Sequence, residues 1–163
     1  MATASQVVAT LSRLLSIPHG RLIWARDQLR AARLLPNAQG QAVDLIPRQI
    51  SALIIAALLG ELGAYPQVVT RFMGLRNRHG TTLAEAIDGL QKSPGQLVRL
   101  DVNTDGTAAV VTDGDTTHYG EADFDAVSRI ATVGGDKFKQ LTEAIAGAPQ
   151  LRAGRPSEGK KRR

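Results

Sequence analysis

From Ile50 to Leu59 the chain runs ten residues with Ser51 as the only polar side chain. A membrane-spanning helix needs about 20 apolar residues, so this stretch is too short to cross a bilayer. Pro47 suits the first turn of a helix, where its missing N–H costs nothing. The pattern therefore predicts a helix over Pro47–Gly60. Its apolar residues, Ile50, Leu53, Ile54, Ile55, Leu58 and Leu59, lie almost all round the axis and leave no polar face for water. Such a helix belongs either at the centre of a core or at a contact between subunits. The remaining segments have to cover it.

Two amphipathic segments precede it. Val7, Val8, Leu11, Leu14 and Leu15 recur at three- and four-residue spacing, predicting a first helix over Ala4–Ser16. Ile17-Pro18-His19-Gly20 then forms a tight turn, because Pro18 cannot continue the helix. A second helix is expected over Gly20–Leu35, with Leu22, Ala25, Leu29 and Ala32 on its inner side. Arg21, Trp24, Asp27, Gln28 and Ala31 fall on the opposite side. Tryptophan is buried on average, so a shifted wheel phase would put Trp24 in the core instead. The two phases make opposite demands on its exposure.

Residues 12–36, S-R-L-L-S-I-P-H-G-R-L-I-W-A-R-D-Q-L-R-A-A-R-L-L-P, resemble the helix-turn-helix core of the winged-helix DNA-binding family. The likeness covers about the first third of the chain, residues 5–60. Its marks are the Ile17-Pro18 turn and the Ala32-Arg33-Leu34-Leu35 ending. Where the family usually has glycine, this chain has Arg33, at a position that often takes a left-handed backbone. The resemblance implies that the second helix enters the major groove of double-stranded DNA. Arginine there grips guanine edges, glutamine grips adenine, and the helix N-terminus attracts phosphate. The expected DNA-binding residues are His19, Gly20, Arg21, Trp24, Asp27, Gln28 and Arg30, with Gln39 and Gln41 from a short wing or loop. Lys160, Lys161, Arg162 and Arg163 would add phosphate contacts without sequence information; as a bare solvated end they would add nothing.

Charge follows the same division. Residues 1–60 carry six arginines against Asp27 and Asp44, giving +4. Residues 61–147 carry eight basic against twelve acidic groups, giving −4, and residues 148–163 carry six against Glu158, giving +5. Basic ends around an acidic middle fit DNA-facing termini and a centre that faces another protein. The expected organisation is a DNA-binding domain over 1–60, an acidic α+β oligomerisation or interaction domain over 61–147, and a disordered basic tail over 148–163. At 163 residues the chain makes one compact domain or two small ones sharing an interface. Aromatics are only 4% of residues, so aliphatic and alanine packing must fill the core. The chain has no cysteine, which excludes disulfides and thiol-bound metal and fits a reducing cytoplasm. Met1–Ser5 lacks the charge and apolar run of a secretory signal.

Beyond the apolar helix, a fourth helix is expected from Pro66 to Gly80, with Arg76, Arg78 and His79 in its last turn. Thr82 and Glu85 match a capping box for a fifth helix ending at Ser93-Pro94-Gly95. Leu97–Val102, Thr107–Thr112 and Thr116–Tyr119, separated by Asn103–Gly106 and Asp113-Gly114-Asp115, predict a three-stranded antiparallel meander. Two helices should follow, over Ala122–Val133 and Asp136–Ala146. The fold class expected is thus α+β, with winged-helix-like helices first, then a helical region, a small sheet and C-terminal helices.

No enzyme, cofactor or metal is expected. His19, His79 and His118 stand in separate segments without metalloenzyme spacing. Asp101–Gly106 opens like a calcium loop, but its twelfth position is Thr112 where a bidentate glutamate is needed. Gly134-Gly135-Asp136-Lys137 lacks the frame of a phosphate loop, and Asp123 and Asp125 near a helix start need no catalytic role. Two functional expectations remain. One is a dimeric winged-helix transcriptional regulator. The other is a DNA-packaging protein resembling phage small terminases, which join a helix-turn-helix to an oligomerising helical region. Both expect a homo-oligomer and neither expects a membrane.

Overall fold

The computed structural model describes residues 2–37, 41–121 and 128–148. The described residues form an α+β fold with six α-helices and one four-stranded antiparallel sheet. No helix among them is long and apolar enough to cross a membrane. Gln39 and the tail residues Lys160, Lys161, Arg162 and Arg163 lie outside the described residues.

Helix α1 (Ala4–Leu15) opens with a capping box: Thr3 N donates to Gln6 Oε1 at 2.9 Å, and Gln6 N donates to Thr3 Oγ1 at 3.4 Å. It closes on Ser16, which is left-handed at φ 54°, and Ile17 N reaches back to Ser12 O at 3.2 Å. Helix α2 (His19–Ala31) follows after Pro18. It stops about four residues earlier than its sequence pattern suggests. Leu34 N donates to Leu29 O and Arg33 N to Arg30 O, both at 2.9 Å, which is the paired bonding of a Schellman ending. Arg33 takes the left-handed position at φ 61°. Ala32, expected inside, is exposed because the helix has already ended there.

Helix α3 (Pro47–Leu58) occupies the centre, as its sequence requires. Every residue from Ile50 to Ala57 is buried, and α3 packs against α1, α2, α4 and α5. Its one polar side chain, Ser51, is satisfied from α5 (Leu83–Lys92). Ser51 Oγ donates to Asp88 Oδ1 at 2.6 Å and accepts from Gln91 Nε2 at 2.8 Å. Arg48 Nε then pairs with Asp88 Oδ2 at 2.8 Å on the outer side. A 3₁₀ turn (Gly60–Ala64) folds back over α3. At Gly63 a Cβ would sit 1.9 Å from Ala56 O, so only glycine permits this crossing.

Helix α4 (Pro66–Met73) ends at Gly74, before the expected Gly80. Arg76, Arg78 and His79 therefore lie in a loop and not in a last helical turn. That loop is closed by Asn77, whose Oδ1 accepts from His79 N at 2.9 Å and Thr81 N at 3.0 Å, and by an Arg76–Thr82 bridge. Backbone pairing and a side-chain clamp outcompete helix continuation past Gly74. The Thr82–Glu85 capping box of α5 forms as expected.

The sheet has four strands: β1 (Leu97–Asn103), β2 (Thr107–Thr112), β3 (Asp115–Tyr119) and β4 (Ile130–Gly134), in the order β3-β2-β1-β4. Asp113-Gly114, with Gly114 at φ 89°, makes a two-residue hairpin turn between β2 and β3. The expected three-stranded meander is corrected by β4, which pairs antiparallel along the other side of β1. The sequence pattern expects Ile130–Val133 in a helix over Ala122–Val133. Residues 122–127 of that span lie outside the described residues, Ser128 and Arg129 lead in as irregular chain, and Ile130–Val133 is strand. Its Ile, Thr and Val side chains suit a pleated surface, and β1 offers a free edge for it. Helix α6 (Gly135–Ala146) packs on β1 and β4 and reaches α1. One continuous cluster of buried side chains runs from Ala2 to Ile145.

Candidate nucleic-acid interface

Leu22, Ala25 and Leu29 are buried along one side of α2 and fix its rotation. Spacing then turns His19, Gly20, Trp24, Asp27 and Ala31 outward, and all five are exposed. Trp24 is 49% exposed, which settles the wheel phase in favour of an outward tryptophan. Trp24 is not among the side chains of the buried core cluster or those packed against it. It is the side chain on α2 with the most apolar surface to offer a partner.

Around Trp24 the polar groups are arranged as an ion-pair cluster. Asp27 Oδ1 lies 2.8 Å from Arg26 Nη2 and 3.8 Å from Arg30 Nη1. Arg26 also reaches α1, where its Nη1 donates to Ser5 Oγ at 3.2 Å. The single carboxylate on α2 is thus flanked by two guanidinium groups, and its repulsion of a phosphate is largely offset. Arg30 is half-buried, and its Nε has no hydrogen-bond partner among the described residues. Gln28 is half-buried beside the exposed stripe. Arg13 and Arg33 are exposed at the ends of α1 and α2, and neither forms an ion pair among the described residues.

Arg21 departs from the expected arrangement. It is half-buried and lines a cleft with the Gly60–Ala64 turn and β4, so its guanidinium is turned partly away from the exposed stripe. Gln41 is exposed in the segment leading to α3. No hairpin stands between α2 and α3 among the described residues. That segment instead returns to the N-terminus, with a Thr3–Asp44 bridge and Leu45 N donating to Ala2 O at 2.9 Å. The structure therefore brings together His19, Gly20, Trp24, Asp27, Gln28 and Arg30 on one helix. Sequence reasoning missed Arg26. Its neighbour Asp27 was visible, but its second partner, Ser5, lies on another helix.

The groups with displaced proton affinity are elsewhere. Glu85 is held below its ordinary value by the hydrogen bonds from Thr82, backbone first, and burial raises Tyr119 against a weaker opposing bond from Asn77. Described residues contain no cluster of three or more metal-ligating side chains. In the calcium-like loop, Asp101 Oδ1 accepts from Thr132 Oγ1 at 2.7 Å and Asp105 Oδ1 from Thr107 Oγ1 at 2.6 Å. These carboxylates serve the sheet and its turn. Comparison with protein families, curated proteins and solved structures yields no match to this chain.

Proposed function

We propose that this chain is a DNA-binding protein of winged-helix type whose α2 is the recognition helix, acting as a transcriptional regulator. The observation that carries the reading is Trp24, held outward on α2 by the burial of Leu22, Ala25 and Leu29. Five arginines against one aspartate over residues 1–37 give the same region the charge that attracts phosphate. His19 and Gly20 open the helix toward the backbone, while Trp24 and Gln28 meet base edges or sugar. Arg26 and Arg30 offset Asp27 and lie within reach of the groove walls. A short wing or connecting loop would come from residues 37–41, and symmetric pairing of two copies would supply the specificity that one short helix lacks. The acidic 61–147 region would face a protein partner or a second copy.

The test is a Trp24→Ala/Gln28→Ala double variant titrated against a DNA site selected from random oligonucleotides by the parent chain and against random DNA. Each lost base contact is expected to cost roughly 1–3 kcal/mol on the site, with a smaller change on random sequence. Undiminished site binding by a folded double variant would remove α2 from the groove. The second reading, a DNA-packaging protein similar to phage small terminases, draws on element order: helix pair, buried α3, sheet, then α6. Mass in solution separates the two, since a regulator of this kind is a dimer and a packaging protein a ring of many copies.

A further inference from the structure

A cleft of about 650 Å³ opens between the first turn of α2, the Gly60–Ala64 turn and the start of β4. Arg21 enters it from α2 and Arg129 from the residue just before β4, with Glu61 as the acidic member of the lining. Neither guanidinium forms a side-chain hydrogen bond or an ion pair among the described residues, and Glu61 has no ion pair there either. Arg129 is held at its backbone, where Thr104 Oγ1 accepts from Arg129 N at 2.8 Å and Thr104 N donates to Arg129 O at 2.9 Å. Arg21 N donates to Pro18 O at 3.1 Å at the start of α2. Two cations with anchored backbones thus line one concavity, and neither is ion-paired with Glu61 among the described residues.

Apart from Thr104 the rest of the lining is apolar, and two of its large side chains are exposed. Ile130 is 66% exposed and Leu62 37%. Exposed isoleucine beside unpaired arginine suits a ligand with both an anionic end and an apolar body. The volume falls within the range of small-molecule sites, roughly 300–1,000 Å³. A concave, partly apolar floor matches such a molecule better than the convex, fully charged backbone of a duplex.

We propose that this cleft binds a small organic anion, with its carboxylate or phosphate oxygens between Arg21 and Arg129 and its apolar body against Leu62 and Ile130. The site does not depend on the DNA-binding reading, although a ligand on Arg21 would touch the helix to which that reading assigns recognition.

Calorimetric titration of the full chain with hexanoate, phenyl phosphate, inorganic phosphate and neutral hexanol tests the proposal without DNA. Hexanoate or phenyl phosphate should bind, and inorganic phosphate and hexanol should bind at least about tenfold more weakly. Arg129→Ala should weaken the organic anion by roughly 10- to 100-fold, the loss of a charged hydrogen-bonded contact. Arg129→Lys should recover part of it, and unchanged circular dichroism would show that both variants are folded. If Arg129→Ala does not fold, Arg21→Gln and Ile130→Ser carry the same comparison from the other two walls. The proposal is overturned if no probe binds up to about 10 mM, if hexanol matches hexanoate, if inorganic phosphate matches phenyl phosphate, or if the folded variants bind as the parent does.

Discussion

Arg33 sits at φ 61° in the turn that ends α2, a backbone region that a side chain disfavours. A non-glycine residue there costs on the order of 1 kcal/mol, and glycine is the usual occupant after a Schellman ending. Arg33→Gly should therefore raise stability by about 0.5–1 kcal/mol, seen as a higher urea midpoint with an unchanged slope. A lower midpoint would mean that the arginine side chain contributes more than its backbone costs. A second residue-level expectation concerns Glu85. Its carboxylate accepts from Thr82 N at 2.7 Å and Thr82 Oγ1 at 2.8 Å, which holds its proton affinity down. The folded value is the lower one, so this contribution to stability is fully present above the unfolded value and fades as pH falls through the folded one. An NMR titration should place the Glu85 midpoint below 4.5, and Thr82→Ala should move it up. A midpoint unmoved by Thr82→Ala would assign the shift to the backbone N–H of residue 82 alone, which alanine keeps. At this scale the sequence is most readable where the pattern is local: Leu22, Ala25 and Leu29 turn Trp24 outward without further information. Arg26 is not readable, because its bond to Ser5 joins residues far apart in the chain.

Among the elements, α3 is the one whose surroundings were most strongly dictated in advance. Eight consecutive buried residues leave no side on which a truncation can be absorbed. Leu53→Ala should cost about 2–5 kcal/mol, as large-to-small changes in tight cores do, and Leu53→Asp should prevent folding altogether because a lone buried charge is costly. Urea unfolding of the alanine variant measures the first; a stable aspartate variant with parent-like circular dichroism would place α3 at the periphery. The fourth strand was harder to read. Residues 130–134 mix Ile, Ala, Thr and Val, and the apolar positions alone do not distinguish a short helix from a strand. What selects the strand is β1, already paired with β2 on one side and open on the other, a fact that no window around residue 130 contains. The end of α4 was missed for a similar reason. Gly74 stops it, but the Asn77 clamp and the Arg76–Thr82 bridge that replace the helix form only when the loop closes on itself.

For the whole molecule, the basic tail and the helix pair make separable contributions to DNA affinity if the proposed function holds. Removing residues 149–163 should lower affinity for all DNA sequences alike. The slope of log affinity against log salt should become shallower by up to about 0.9 for each lost phosphate contact. Binding isotherms at several salt concentrations would show this; a collapse of preference for the target with an unchanged slope would instead make the tail a reader of bases. The general division into helices and a small sheet was legible along the chain, because hydrophobic period and turn residues are local. The union of the two halves was not. Helix α1 buries Val7, Val8 and Leu11 partly against α6, whose Phe138, Leu141 and Ile145 come from the other end of the described chain. During synthesis, then, the first helix emerges from the ribosome long before the surface that completes its burial exists. Until α6 arrives, α1 must wait with apolar surface uncovered, in the hands of whatever chaperone the nascent chain meets.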